Sequence, residues 1–197
     1  MTQITITDVY SIGAPIILAL IFFEVFISNW QSKSFYKAGD TYCTSGLLFG
    51  NIIMGFVIKS SIVAFHFVLY KYRFFDLMSS MPIWLLWVLT FILIDLVFYI
   101  YHRMSHRVRF LWTVHMSHHS SEEMNFVVSL RQAWFAPFAK VIFFMPLPLI
   151  GFDPLITVVV GIASTFWGVI GHTQWINKLG PLEYIFVTPS HHRVHHG

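Results

Sequence analysis

Five stretches of this 197-residue chain are almost wholly apolar, and their order organises the rest of the sequence. Residues 10–28, 47–70 and 83–101 form three runs of about 19–24 residues, long enough as helices, at about 1.5 Å per residue, to cross a hydrocarbon core of about 30 Å. Polar connectors, "NWQSKSFYKAGDTYCTSG" and "KYRFFDLMSSMP", join them. A long polar stretch, 102–132, precedes two shorter apolar runs, "WFAPFAKVIFFMPLPLI" and "PLITVVVGIASTFWGVIG". Gly151-Phe152-Asp153-Pro154 between them is a turn signal. The pair predicts a helical hairpin that enters the membrane and returns to the side it left. Pro146 and Pro148 are expected to kink its first arm or end it early. The N-terminal "MTQITITDVYSIGAPIILAL" lacks a basic lead and a convincing cleavage site, so it reads as the approach to a retained helix. The expected fold is all-α: a polytopic membrane protein with about three full spans, a helical hairpin and a helical, histidine-rich cap.

Composition agrees. Apolar residues make up 56% and charged residues 11%, against roughly 25% charged in a soluble domain. The net charge of +3 does not point to nucleic acid, because the basic residues sit at the ends of apolar runs and do not cluster on a polar face. The single cysteine, Cys43, excludes an intramolecular disulfide and a cysteine-based metal site, and reads as a small buried or lipid-facing residue. Glu24 and Lys59, inside spans, are read as snorkelling or paired.

The remaining chemistry lies in the histidines. If the hairpin returns, ten of the eleven lie on one membrane face, and only His66, alone in the second span, does not. That face also carries Arg103, Arg107, Arg109 and Arg131, which places it in the cytoplasm and the N-terminus outside; Lys71 and Arg73 on the opposite side are a modest counter-signal. "HRMSH" holds His102 and His106; "HMSHH" holds His115, His118 and His119; "HRVHH" holds His192, His195 and His196. On a helix, positions i, i+3 and i+4 share one face, so each motif is expected to present its imidazoles in one direction. Neutral imidazole is a ligand for iron, zinc, copper and nickel. These eight rings, or nine with His172, exceed one ion's capacity and suit two ions with coordination positions left open. Metal-bound histidines commonly donate their other N–H to a carboxylate or carbonyl. Asp95, Glu122 and Glu123, with Asn125, Arg131 and His191, are the candidates for contacts behind the ligands. Asp95 lies within an apolar run, where an unpartnered acid costs about 2.5–3.5 kcal/mol.

Spacings of HxxxH, HxxHH and HxxHH after several spans resemble the fatty acid hydroxylase/sterol desaturase superfamily of membrane di-iron oxygenases. "LIDLVFYIYHRMSHRVRFLWTVHMSHHSSEEMNFVVSLRQ" and "HTQWINKLGPLEYIFVTPSHHRVHHG" carry the resemblance, which extends over about residues 83–197. It implies a catalytic domain at 83–197 behind N-terminal transmembrane helices at 1–82. It implies two iron ions held by His102, His106, His115, His118, His119, His192, His195 and His196, with His172 matching a further family ligand. The implied reaction is O2-dependent oxidation of an unactivated lipid C–H bond (alkylglycerol, fatty acyl or sterol) using electrons from an external donor. One branch of the superfamily uses a tetrahydropterin, although no pterin motif is visible here. Relatives continue past "HHG" with further polar sequence, so the chain is expected to be truncated at its C-terminus. Zinc outcompetes ferrous iron for nitrogen ligands, so purified samples can carry it.

Other readings fit less well. A desaturase or a sterol or carotenoid hydroxylase would use the same scaffold, and product analysis separates them. A histidine-rich metal transporter or sensor would want ligands at several membrane depths, not on one face. A zinc hydrolase would need HExxH, which none of the pairs provides. A membrane cytochrome would need histidine pairs on facing spans.

Overall fold

The computed structural model describes residues 6–197, with side chains from residue 11 onward. Among these residues it contains helices and turns and no strand. The helices are α1 (Ile6–Trp30), α2 (Ala38–Tyr70), α3 (Leu77–Ser80), α4 (Ile83–Ser105), α5 (Arg109–His115), α6 (Ala136–Phe144), α7 (Pro146–Ile150), α8 (Pro154–Ile170) and α9 (Pro189–His196). Short 3-10 turns occupy His118–Ser120, Val128–Leu130 and Gly180–Tyr184.

Among the described residues, three helices are long and apolar enough to cross a membrane: α1 over Ser11–Trp30, α2 and α4. The chain is an integral membrane protein, and its outward faces carry Phe22, Phe56, Trp84 and Phe91, all more than half exposed. The apolar pattern placed the start of the second span at residue 47, but α2 starts at Ala38 and runs for 33 residues. Its first turns are polar because they stand beside the histidine-rich segment, where Asp40 pairs with Arg131.

The hairpin breaks where its prolines require. α6 ends at Phe144 and α7 starts at Pro146, whose missing N–H and ring cannot continue the preceding helix. Gly151 turns the chain at φ 124°, a conformation open mainly to glycine, and a Cβ there would collide with the Phe75 carbonyl. Asp153 then caps α8, its Oδ1 accepting from the N–H groups of Leu155 at 2.8 Å and Ile156 at 3.1 Å. The tip reaches the connector between α2 and α4, where the Phe74 N–H donates to the Leu149 carbonyl at 2.7 Å.

α8 returns between α1 and α4. Leu86 and Ile94 of α4 bury against Leu147, Phe152, Ile156 and Val160 of the hairpin. A second cluster of Tyr101, Leu111 and Ala139 joins α4, α5 and α6 at the opposite end. The second cluster sets the ends of α4 and α5 beside α6, and those ends carry His102, His106 and His115.

Candidate metal centre

Nine histidines are delivered by five local segments. His102 and His106 end α4, and α5 closes on His115. The chain then tightens into the 3-10 turn holding His118 and His119. His172 follows the last turn of α8, its backbone N–H donating to the Val169 carbonyl at 2.9 Å. α9 carries His192, His195 and His196, and Glu183 braces its start by accepting from the Ser190 hydroxyl at 2.7 Å and the Thr188 hydroxyl at 3.2 Å.

Nine imidazoles converge in two groups. One holds His102, His106, His115, His119 and His195; the other holds His118, His172, His192 and His196; within each group the candidate ligand atoms lie within 4.8 Å of one another. In the five-histidine group, Nε2 of His102 is 3.2 Å from Nε2 of His106 and 2.9 Å from that of His195. His115 and His119 approach to 3.1 Å between their Nε2 atoms. In the four-histidine group, Nε2 of His172 is 3.1 Å from that of His118 and 3.0 Å from that of His192. The rings of His119 and His196 stack at 4.2 Å, so the two groups adjoin.

The HxxHH motifs do not present their rings in one direction, as spacing alone led us to expect. In both motifs the i and i+4 rings stay together and the i+3 ring crosses to the other group. An α-helix turns about 100° per residue, so i+3 and i+4 diverge by that angle. With a site on each side, the divergence separates the rings.

The chemistry of the donors fits a cation. Nδ1 of His172 donates to the Gly168 carbonyl at 2.7 Å, which leaves its Nε2 as a lone pair. Nδ1 of His118 lies 3.3 Å from both the Arg131 carbonyl, an acceptor, and the Gln132 side-chain amide nitrogen, a donor; with the Nδ1 proton given to the carbonyl, its Nε2 is a lone pair in the same tautomer. In that tautomer two lone pairs stand 3.1 Å apart and repel unless a cation lies between them. Nε2 of His196 is buried with no hydrogen-bond partner, an orphan that a metal would satisfy. Metal–imidazole bonds of about 2.0–2.1 Å place two ligand nitrogens about 3.0 Å apart at right angles. The observed 2.9–3.2 Å separations match that spacing.

Burial keeps these rings neutral. It is the largest cause of every shift, with neighbouring rings adding to it. His115, His192 and His196 are pushed down to about 2, His172 to about 3 and His119 to about 4. His118 falls well below the ordinary histidine range, and His106 and His195 are also lowered. Neutral imidazole is the form that binds metal.

The proposed supporting residues fare differently. Asp95 lies exposed on the outer face of α4, and among the described residues no hydrogen bond or ion pair reaches it. The helical phase that sends Leu86, Thr90, Ile94 and Tyr101 inward turns Asp95 outward, away from His102. Glu122 and Glu123 bind Lys37 at 3.2 and 2.9 Å, and Glu123 also accepts from Gln174 at 3.1 Å; neither meets a histidine. Asn125 braces the loop, donating to the Phe35 carbonyl at 2.7 Å and accepting from the Val128 N–H at 3.0 Å. Arg131 ion-pairs with Asp40, and its backbone carbonyl faces His118. His191 is exposed and belongs to neither group. Backbone carbonyls therefore stand where carboxylates were expected behind the rings. Cys43 is exposed and lies 3.1 Å from the Arg131 guanidinium. His66 is buried in α2, apart from both groups.

Two residues with no ligand pattern hold this arrangement. Asp40 accepts from Arg131 and from Ser121. Glu24 neither snorkels nor pairs with Lys59: it is wholly buried and accepts from Tyr36, Phe126 and Thr173. Its only sequence signal is an acid inside an apolar run, which requires partners without naming them.

The profile of the fatty acid hydroxylase family matches residues 87–197, the part that carries all nine histidines. Alkylglycerol monooxygenase from Homo sapiens is 34% identical over 98% of the chain and 43% of its own length. The Xenopus tropicalis alkylglycerol monooxygenase is 38% identical over 69% of the chain and 30% of its own length. An ornithine lipid hydroxylase from Rhizobium tropici is 30% identical over 55% of the chain and 33% of its own length. The chain thus spans less than half the length of each of these relatives. No solved structure matches it. The profile match, over more than half of the chain and all of the gathered histidines, makes this protein a member of the fatty acid hydroxylase family.

Proposed function

We propose that the chain forms the metal-binding core of a membrane lipid hydroxylase, in which His102, His106, His115, His119 and His195 hold one iron ion and His118, His172, His192 and His196 hold a second. The observation that carries this reading is the approach of imidazole Nε2 atoms from separate segments to about 3 Å of each other, a distance that two cations would explain. When bound, such a pair supplies activation of O2 for oxidation of an unactivated lipid C–H bond, with electrons from an external donor.

The chain's own residues do the rest. Burial holds the rings neutral and ready to ligate, the Gly168 carbonyl fixes the tautomer of His172, and the Arg131 carbonyl offers an acceptor to His118. The four-histidine group is the more enclosed of the two: His118 and His172 are buried, and His192 and His196 are half-buried. His106 and His195 of the other group are exposed, so a substrate would approach from their side. Trp112 packs beside His106 and His119, with ring centroids at 5.4 and 5.7 Å, and shields that flank from water. A lipid can keep its apolar tail along the bilayer-facing helices while its reacting carbon reaches this opening. The relatives' names favour alkylglycerols or other polar-headed lipids as the substrate class. A tetrahydropterin is the candidate electron donor that the resemblance raises. The arginines near the site, Arg103, Arg107 and Arg109, favour a cytoplasmic location for this face.

The test is metal content by mass spectrometry, on protein purified from iron-supplemented membranes. The parent is expected to hold about two irons per chain. His115→Ala and His172→Ala should each lose one, and the double variant both. Lipid hydroxylation with O2 and reductant should require both ions. A single zinc that survives both substitutions would sink the proposal.

A further inference from the structure

We infer that Glu24, in the first span and outside the region that the family profile matches, is the positioning residue of the four-histidine group. The inference rests on reading that group as a metal site. Glu24 is 0% exposed, and its two oxygens collect donors from three separate segments. Oε2 accepts from the Tyr36 hydroxyl at 2.5 Å and from the Phe126 N–H at 2.8 Å, while Oε1 accepts from the Thr173 hydroxyl.

Two of those donors lead into the four-histidine group. Thr173 follows His172 directly, and its hydroxyl also accepts from the Trp175 N–H at 3.0 Å. Its carbonyl accepts at 2.7 Å from Arg193, which donates to the Ile176 carbonyl at the same distance and neighbours His192 on α9. Phe126 lies in the loop between His118 and Arg131, whose carbonyl faces Nδ1 of His118. The third donor is held in place by Ser28, which donates to the Lys33 carbonyl at 2.5 Å and accepts from the Phe35 N–H at 3.2 Å, presenting Tyr36 to the carboxylate. Glu24 therefore ties the backbone beside His118, His172 and α9 to one point on α1. By contrast, His102, His106 and His115, three of the five rings in the other group, sit on α4 and α5, which no hydrogen bond from Glu24 reaches.

A carboxylate suits the position because it only accepts, and all three neighbours donate. Truncation leaves buried donors without an acceptor. Glutamine keeps the geometry: its oxygen can serve Tyr36 and Phe126 while its amide donates to the Thr173 hydroxyl.

The test begins with the full metal-free chain in detergent, by backbone hydrogen exchange. In Glu24→Ala, exchange over 122–128 and 172–177 should be about tenfold faster, with 102–115 unchanged. Thr173→Val should loosen 172–177 alone, and Glu24→Gln should restore the parent pattern. The loaded protein is then challenged with a chelator. Glu24→Ala should release one of its two ions about tenfold faster and keep the other, the persistent ion being the one removed by adding His115→Ala. Unchanged exchange in Glu24→Ala, or acceleration that includes 102–115, overturns the inference. If Glu24→Ala does not fold, Thr173→Val decides: no change over 172–177 overturns it. A parent that binds no second ion defeats the metal reading alone, and the exchange pattern still judges Glu24.

Discussion

The Nε2 atoms of His102 and His195, 93 residues apart in the chain, lie 2.9 Å from each other. One turn of α9 away, His192 faces His172 with 3.0 Å between Nε2 atoms. A single short helix thus serves both groups, and the two substitutions on it should be separable. His195→Ala should weaken binding of the ion in the five-histidine group by more than about 100-fold, since loss of a residue behind a ligand already costs about 10–100-fold. His192→Ala should do the same to the other ion. Competitive chelator titration of each variant, read by metal mass spectrometry, checks this; identical losses in both would contradict the division.

Acid should destabilise the metal-free protein before most of its carboxylates titrate. The folded histidines at His115, His119, His172, His192 and His196 protonate only near 2 to 4, against about 6.5 in the unfolded chain. Between those values the unfolded state binds more protons, so unfolding becomes easier as pH falls. Stability should be full above about pH 6.5 and decline steadily below it. Thermal midpoints of apo protein at pH 7.5, 6 and 5 should fall in that order. A flat profile would mean the rings are solvated.

Arg131 and Asp40 form an ion pair whose side chains are 7% and 19% exposed. Arg131→Ala leaves Asp40 without its charged partner, at a cost of about 3–5 kcal/mol. The paired change Arg131→Met with Asp40→Leu should recover most of that loss. Denaturant unfolding in detergent measures both. The same pair anchors the backbone behind His118, so Arg131→Ala should also loosen the ion in the four-histidine group.

Asp95→Leu should leave metal content unchanged, because Asp95 points away from both groups. Removing an unpartnered acid from an apolar span should also favour insertion by about 2.5–3.5 kcal/mol. Loss of metal in this variant would place Asp95 nearer the site than its exposed position allows.

Long periodic features were legible without coordinates. The spans of α1 and α4, the turn at Gly151 to Pro154 and the break before Pro146 follow from run length and backbone chemistry, which are local properties. The start of α2 was misjudged because polarity marks the edge of the membrane, not the end of a helix. The histidines that gather are those singled out by spacing, with His172 marked by its place after the hairpin and by family resemblance. How they divide was not legible: a motif lists which rings lie near each other, and the tertiary fold decides which site each one meets.

Composition and apolar pattern by themselves determined an all-helical membrane protein with its histidines collected at one end, because membrane crossing and helix length depend on neighbours along the chain. Tertiary structure decided everything that depends on residues far apart in sequence. It split the rings five and four, placed carbonyls behind His118 and His172, and turned Asp95 outward. It also gave Glu24 three donors, of which Thr173 lies 149 residues along the chain. A buried carboxylate announces that it must have partners, and only packing supplies them.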